Sequence, residues 1–341
     1  MQARKQYNGL DAVKFILAIL VAARHIIQIF FTADSRWHLL IGSWLSNLAV
    51  PAFFIISAFF LFQKVDREKP DWKVIAGYCK KVLRMYLIWS AIYLPIDIYN
   101  WYHGESGVWE GIRTYLQAFV FSSSIVQLWY LPALALACLI VWFCYTRGMK
   151  IWQILFVTGC LFVIGVIGDN WYLNEMLPHW MYEKLMIYNR YFLTMRNGLF
   201  YGSFYAAIGL LFAKTRWRLP LWAAVLGTLF FVFVMYKEVV RCSNTNMLFS
   251  AAPAVYCLFS AASMVEWKDR KLYPRLRAMS EWVYLSHFYF FYLFSWTARW
   301  NPLPMNNRSV MAMVLGAVLL FAWGMVRLAE KERFRWIRRL I

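Results

Sequence analysis

The sequence predicts an all-α, polytopic integral membrane protein with about ten transmembrane helices and both termini in the cytoplasm. Hydrophobic residues make up 62% of the 341-residue chain, whereas a soluble domain is nearer half apolar. Apolar stretches long enough to cross a bilayer recur along the whole chain. Lys and Arg are distributed unevenly between the segments that separate these stretches, which is typical of a membrane topology. We expect residues 1–341 to form a single membrane domain.

Ten apolar spans are predicted, at about 10–31, 41–62, 83–100, 128–146, 151–168, 198–213, 219–236, 247–266, 281–299 and 309–328. If the N-terminus is cytoplasmic, 25 of the 36 Lys and Arg residues lie in cytoplasmic segments, nine lie outside, and two lie within the first span. The excess fixes the orientation, because positive charge is retained in the cytoplasm. The net charge of +19 is therefore a signal of topology, with some attraction to anionic lipid headgroups, and does not indicate a nucleic-acid partner.

The first span carries ionisable residues at Asp11, Lys14, Arg24 and His25. Such residues are costly in a membrane helix and usually face a cavity or the bundle interior. Lys14 and His25 are eleven residues apart, so they lie within about 20° of one helix face and roughly 16 Å apart along the axis. One stripe on this face comprises Asp11, Lys14, Ala18, Val21, His25 and Gln28. The alternative is that Asp11 and Lys14 are interfacial end charges and His25 is a hydrogen-bonded packing residue.

The next two spans contain a proline and a pair of cations. Pro51 interrupts the helical hydrogen-bond ladder of the second span, so we expect a kink there. Lys80 and Arg84, at the entry to the third span, share one helix face and would repel each other unless an anion lies between them. Both side chains suit phosphate groups, although ordinary cytoplasmic anchoring explains them equally well. Asp97, later in the same span, is either a buried partner for a cation or an interfacial residue.

The second half of the chain contains further candidates. The predicted outer loop 169–197 mixes charged, amide and aromatic side chains, including Arg196, and suits a hydroxylated ligand, or alternatively forms a half-buried interfacial helix. The sixth span carries small residues that predict close helix contact: Gly198, Gly202, Ala206 and Gly209. In the ninth span, Ser280 is expected to cap the helix, and His287 is interpreted as a structural histidine.

Several site classes lack their sequence signatures. The six cysteines form no C-x-x-C pair and lie mostly in apolar runs, which favours small hydrophobic residues over disulfides or a metal site. The sequence contains no Walker loop, dinucleotide fingerprint, H-E-x-x-H or G-x-S-x-G motif. We therefore expect neither a bound metal nor a resident cofactor.

Five short motifs together resemble one known family. They are the K-x10-H pair of Lys14 and His25, the VPAFFIISA stretch from Val50 to Ala58, the K-x-x-x-R pair of Lys80 and Arg84, the LWYL stretch from Leu128 to Leu131, and the YLSH stretch that ends at His287. Their order resembles that of the membrane-bound acyltransferase family 3, bacterial O-acyltransferases of cell-surface glycans. The chain departs from the family pattern at Lys14 and Lys80, where arginine is usual, and at Ala58, where glycine is usual.

The resemblance implies O-acyl transfer, most simply of acetyl, from cytoplasmic acyl-coenzyme A to a hydroxyl of a cell-surface glycan or lipid-linked sugar at the bacterial cell membrane. His25 would act as general base or acyl relay, and Lys14, Lys80 and Arg84 would hold the donor phosphates or stabilise developing negative charge. Residues with possible supporting roles are Asp11, Asp97, Arg196 and His287. Acyl-coenzyme A would be a co-substrate, and no soluble extracytoplasmic domain is expected.

Two other classes of function remain open. A transporter or flippase of the same glycan class would use the polar stripe as a translocation path, and thioester cleavage that depends on His25 would distinguish an enzyme from it. A purely structural partner of a biosynthetic complex fits poorly with Lys14 and His25 inside a membrane helix.

Overall fold

A computed structural model describes residues 6–32, 35–103, 107–169, 177–242, 244–265, 267–268, 271–300 and 307–341, without the side chains of 29 and 297–300. This part of the chain contains no strand and twelve α-helices, which confirms the all-α prediction. The helices are α1 (Asn8–Phe30), α2 (Ala49–Phe62), α3 (Trp72–His103), α4 (Gly107–Phe121), α5 (Tyr130–Thr146), α6 (Ile151–Asp169), α7 (His179–Phe192), α8 (Ser203–Lys214), α9 (Leu221–Arg241), α10 (Ala251–Met264), α11 (Leu272–Trp300) and α12 (Asn307–Glu330). Shorter turns are π-helical at His38–Trp44 and Gly198–Gly202, and 3₁₀-helical at Leu45–Leu48, Val126–Trp129 and Glu332–Arg339.

Within the described part of the chain, six helical segments are long and apolar enough to cross a membrane. They are His38–Phe62, Trp72–His103, Gly107–Thr146, Ile151–Asp169, Leu221–Arg241 and Asn307–Glu330. The other four predicted spans also coincide with helices: two are the shorter apolar segments Gly198–Lys214 and Ala251–Met264, and two are α1 and α11. The structure therefore supports a multi-pass membrane protein, while the count of ten spans and the cytoplasmic location of the termini stay predictions.

The chain divides into two compact units. The terminal unit comprises Met1–Ala49, Leu219–Leu229 and Cys257–Ile341, and the central unit comprises Val50–Arg218 and Phe230–Tyr256. The terminal unit contains α1, α11 and α12, whereas the central unit contains α2 to α8.

Close backbone contact anchors the start of α1 in the terminal unit. A Cβ atom at Gly9 would clash with the carbonyl oxygen of Ala262, so only glycine fits this approach. The neighbouring Asn8 amide donates a hydrogen bond to the carbonyl of Trp267 at 3.0 Å. These contacts fix the position of α1 along its own axis relative to the end of α10. They thereby fix where the polar stripe begins.

Helix α11 begins at Leu272, well before the predicted start of the ninth span at 281. Ser280 therefore lies inside the helix, and its hydroxyl donates to the carbonyl of Arg277, so the prediction that Ser280 caps the helix is wrong. An ion pair between Arg275 and Glu330, at 2.7 Å, holds the added turns against the end of α12. The hydropathy pattern marks the apolar part of this helix and misses the charged turns that continue it.

Small residues bring α8 and the preceding π-turn close to their neighbours in the central unit, as predicted. A Cβ at Gly198 would lie 2.5 Å from the carbonyl oxygen of Ala133, and one at Gly209 would lie 2.7 Å from that of Ile55. A Cβ at Gly202 would meet the ring of Phe54 at 2.6 Å. These glycines let α2 and α5 pack directly against this segment.

The irregularity expected at Pro51 lies just before it. The segment His38–Phe62 is helical throughout, but its hydrogen bonding is π-type at His38–Trp44 and 3₁₀-type at Leu45–Leu48 before α2 begins at Ala49. Pro51 lies in the first turn of α2, where a missing N–H is tolerated. The change in hydrogen-bonding pattern alters the side of the segment on which the side chains of Ser46 and Asn47 lie. Both side chains bind a residue of α1.

Candidate functional site

The candidate site lies between α1 and α11 in the terminal unit, and two ion pairs define one end of it. Lys14 Nζ lies 2.9 Å from Glu281 Oε1, and Arg277 Nε lies 3.3 Å from Asp11 Oδ1. Asp11 is 4% exposed, so its carboxylate depends on this partner for stabilisation. Each helix contributes one acid and one base about one turn apart, and the charges are complementary.

Two histidines lie further along the same helix pair. The rings of His25 and His287 are stacked, with centroids 5.5 Å apart and planes inclined by 18°. Phe288 contacts both rings, at 4.7 Å from His25 and 5.1 Å from His287. Further on, Phe30 meets Phe291 at 5.7 Å. Because the contacting residues ascend together on both helices, α1 and α11 run parallel.

His25 and His287 differ in burial. His25 is partly exposed, whereas His287 is 1% exposed. The Nδ1 atom of His287 lies 3.0 Å from the carbonyl oxygen of Val283, one turn earlier on its own helix. The pair therefore presents one imidazole that small molecules can approach and one that is enclosed by protein.

Arg24 connects α1 to the irregular segment before Pro51. Its Nη1 donates to Asn47 Oδ1 at 2.8 Å and more weakly to Ser46 Oγ at 3.4 Å. Ser46 and Asn47 are buried. Arg24 thus fixes the rotation of α1 at the turn that carries His25.

The middle of the stripe is apolar and closed. Ala18 is fully buried and Val21 is 5% exposed, so packed side chains separate the ion pairs from the histidines. A continuous polar path along this face of α1 is absent among the described residues. The stripe consists of two polar clusters, of which one is ionic and one is built of imidazoles.

The predicted donor-binding residues lie on α3 in the central unit. Lys80 and Arg84 are both exposed, and within the described part of the chain neither forms an ion pair with an acidic side chain. Their charges are thus available to an anion from outside the protein. Asp97 lies on the same helix after Pro95, and its Oδ2 is buried without a hydrogen-bond partner among the described residues.

Arg196 belongs to a network of the central unit. Its Nη1 donates to Asn246 Oδ1 at 3.0 Å, and its guanidinium lies 4.7 Å from the ring centroid of Trp129. Asn244 donates to Asp169 at 3.2 Å. These contacts hold the end of α6 and the segments before α8 and α10 together, so the structural role of Arg196 is evident. Of the surrounding loop 169–197, residues 170–176 lie outside the described residues.

Two of the sequence motifs meet in the central unit. The hydroxyl of Tyr130 lies 3.1 Å from that of Ser57, and its ring packs against Phe54 at 4.8 Å. Trp129 and Tyr130 are each 7% exposed. They are packing residues that join α2 to α5.

Sequence reasoning missed Arg277 and Glu281 as parts of the site. Its interpretation of His287, as a structural histidine with a possible supporting role, stays a prediction. The charge pattern could have revealed Arg277 and Glu281. An acid and a base lie three residues apart on α1, and a base and an acid lie four residues apart on α11. No group of three or more potential metal ligands occurs among the described residues.

Comparison with known proteins identifies the family of the chain. Residues 7–327 match the acyltransferase domain of acyltransferase family 3. The chain is 23% identical over 270 residues to an amino-acid racemase of Enterococcus faecalis, covering 76% of this chain and 36% of that protein. It is 22% identical over 339 residues to a serine/alanine racemase of Enterococcus gallinarum, covering 97% of this chain and 47% of that protein.

The chain thus spans half or less of the length of these curated relatives. No solved structure matches it. The family match covers nearly the whole described chain, including both helices of the site, and an acyltransferase domain indicates an enzyme that transfers groups other than amino-acyl groups. The chain belongs to the acyltransferase family 3.

Proposed function

We propose that the protein is an O-acyltransferase of the bacterial cell membrane that moves an acyl group, most simply acetyl, from cytoplasmic acyl-coenzyme A to a hydroxyl of a cell-surface glycan or lipid-linked sugar. The observation that carries this proposal is the placement of His25. It is a partly exposed imidazole on a buried helix, next to a second imidazole and separated from the charged groups of the stripe. Imidazole is suited to proton transfer near neutral pH.

In the proposed reaction, His25 is the only residue that takes up and releases a proton. The acceptor oxygen forms a bond to the thioester carbonyl carbon while His25 removes its proton. The carbon–sulfur bond then breaks, and the proton returns from His25 to the thiolate of coenzyme A. General-base catalysis of this kind contributes about 10²–10⁴-fold to a rate.

Lys80 and Arg84 are proposed to bind the donor phosphates. Their exposure and their lack of acidic partners within the described chain support this role, because two like charges on one helix face are stabilised by a shared anion. Lys14 is proposed to act mainly by positioning α1, because its ammonium group is already paired with Glu281. A direct contribution of Lys14 to charge stabilisation stays a prediction.

The names of the relatives widen the set of acceptors worth testing. A serine/alanine racemase handles small amino acids, and serine carries a hydroxyl that an acyltransferase can modify. We therefore place free serine beside sugar hydroxyls as a second candidate acceptor. The transporter alternative is less well supported, because Ala18 and Val21 close the stripe between its two polar clusters.

The function is tested with purified protein in lipid nanodiscs and acetyl-coenzyme A labelled in the acetyl group. We expect release of the free thiol and transfer of label to a bacterial lipid-linked glycan extract. His25→Gln keeps hydrogen-bonding capacity but cannot accept the proton, so transfer should fall about 10²–10⁴-fold.

Ser286→Ala is the matched control for this test. It removes a buried hydrogen bond to the Trp282 carbonyl on α11 without touching His25, so it should retain activity in proportion to folded protein. Transfer by His25→Gln at the wild-type rate would show that His25 is not the base, and absence of thioester cleavage by the wild type would favour the transporter.

A further inference from the structure

The strongest unexplained feature of the site is the second nitrogen of His287. A carbonyl oxygen can only accept a hydrogen bond, so the contact with Val283 at 3.0 Å requires the hydrogen of the neutral ring to be on Nδ1. Nε2 then carries a lone pair. It is buried and has no hydrogen-bond partner within the described part of the chain.

A buried acceptor without a donor lowers the stability of the fold, so a purely structural role does not explain a histidine at this position. The neighbours of the ring are His25, Phe288 and Tyr284, and a phenylalanine would fill such an aromatic cluster without a buried lone pair. Burying an acceptor without a donor loses its hydrogen bonds to water and gains none. The position is therefore better explained if a donor is supplied in the working protein.

His25 shows where that donor enters. Its ring stacks on His287 and is the partly exposed member of the pair, so His25 marks the side from which a ligand would approach the enclosed ring. A single hydroxyl has one proton and can donate to only one acceptor at a time. Two imidazoles that each accept a hydrogen bond therefore call for two donor groups on one ligand.

We propose that His287 Nε2 binds a second hydrogen-bond donor of the acyl acceptor, carried on the carbon next to the reacting hydroxyl. This inference rests on the proposed function, in which His25 removes the proton of the reacting hydroxyl. His287 is then a positioning residue that selects acceptors with two adjacent donors. Vicinal diols of sugars have this chemistry, and so does serine, whose ammonium group lies beside its hydroxymethyl group.

The test combines a change in the protein with a change in the acceptor. One arm compares a methyl glycoside that has a vicinal diol with its analogue lacking one of the two hydroxyls. The other arm compares serine with 3-hydroxypropionate, which lacks the amine. Each is supplied with acetyl-coenzyme A to wild-type protein, His287→Phe and Ser286→Ala in nanodiscs, and kcat/KM is measured for each acceptor.

We expect the wild type and Ser286→Ala to prefer the two-donor acceptor of one pair by about three- to tenfold, the worth of one neutral hydrogen bond. His287→Phe should lose this preference, and His287→Gln, which retains an acceptor oxygen, should recover part of it. A merely structural role would lower kcat/KM for both acceptors of a pair equally. An unchanged preference in His287→Phe would therefore overturn the proposal, and the pair that shows the preference identifies sugar or serine as the source.

A second measurement keeps the inference testable without turnover. In protein labelled with ¹⁵N at histidine, the His287 signal is assigned by its loss in His287→Phe. It should show Nε2 without a hydrogen, and that signal should shift when the two-donor acceptor is added but not when its analogue is added. A hydrogen on Nε2, or a signal that does not respond to either acceptor because a water occupies the site, would overturn the proposal. Absence of thioester cleavage by the wild type would instead count against the proposed function.

Discussion

The charged residues of α1 are matched one by one with groups on neighbouring segments. Asp11 pairs with Arg277, Lys14 pairs with Glu281, and Arg24 donates to Asn47. A charge in an apolar helix is tolerated when it is paired, and removing one partner leaves the other uncompensated. The ionic residues therefore account for the position and rotation of α1, and the proposed proton transfer is assigned to His25 alone.

The positioning role of the ionic residues predicts the behaviour of Lys14 variants. Lys14→Arg preserves the charge and should retain both stability and activity, whereas Lys14→Met should lower the free energy of unfolding. Lys14 and Glu281 are 19% and 25% exposed, so the pair is only partly screened and its coupling is expected to be about 1 kcal/mol. Thermal unfolding of Lys14→Met, Glu281→Gln and the double variant in detergent measures this coupling.

The same series separates positioning from donor binding. If Lys14→Met lost affinity for acetyl-coenzyme A without any coupling to Glu281 in stability, Lys14 would belong to the donor site and the positioning role would be wrong. A shared loss of stability with unchanged donor affinity is the result we expect.

At the scale of elements, the apolar pattern located helices well and the contacts between them poorly. All ten predicted spans coincide with helices, because length and hydropathy are local properties of the sequence. Helix α11 nevertheless extends well before its predicted start, since ion pairs with Asp11 and Glu330 stabilise turns that hydropathy marks as loop. The pairing of His25 with His287 depends on tertiary contact between distant segments, which no single segment reveals.

Helix α3 gives a prediction of its own. Arg84→Ala should weaken binding of acetyl-coenzyme A about three- to tenfold, because one charge-assisted contact to a phosphate in an exposed, screened position is lost. The effect should shrink as salt is raised. Equilibrium binding of acetyl-coenzyme A at two salt concentrations provides the measurement.

Lys150→Ala is the matched control for Arg84→Ala. Lys150 is exposed and lies in another predicted cytoplasmic segment, so its removal changes the net charge equally without touching α3. Equal weakening by both variants would show a general electrostatic attraction, and an unaffected affinity in Arg84→Ala would return this residue to the role of a topology anchor.

For the whole molecule, charge distribution gives the orientation that the fold alone does not give. The 25 Lys and Arg residues of the predicted cytoplasmic segments outnumber the nine outside, and this bias favours both termini in the cytoplasm. The orientation matters for the proposed function, because the proposed donor, acyl-coenzyme A, is cytoplasmic and the proposed donor residues on α3 lie at the entry to the third predicted span. The proposed roles of the ion pairs, the histidines and the donor residues therefore depend on this topology being correct.

The topology predicts opposite labelling of two engineered cysteines. In a variant without its six native cysteines, Glu183→Cys on α7 should react with a membrane-impermeant maleimide in intact cells, since it lies in the predicted outer loop. Lys69→Cys, in the segment between α2 and α3, should react only after the membrane is permeabilised. Both native side chains are exposed, so a failure to react reports the location of the residue and not its burial. The reverse pattern would invert the orientation and move the proposed donor site to the wrong side of the membrane.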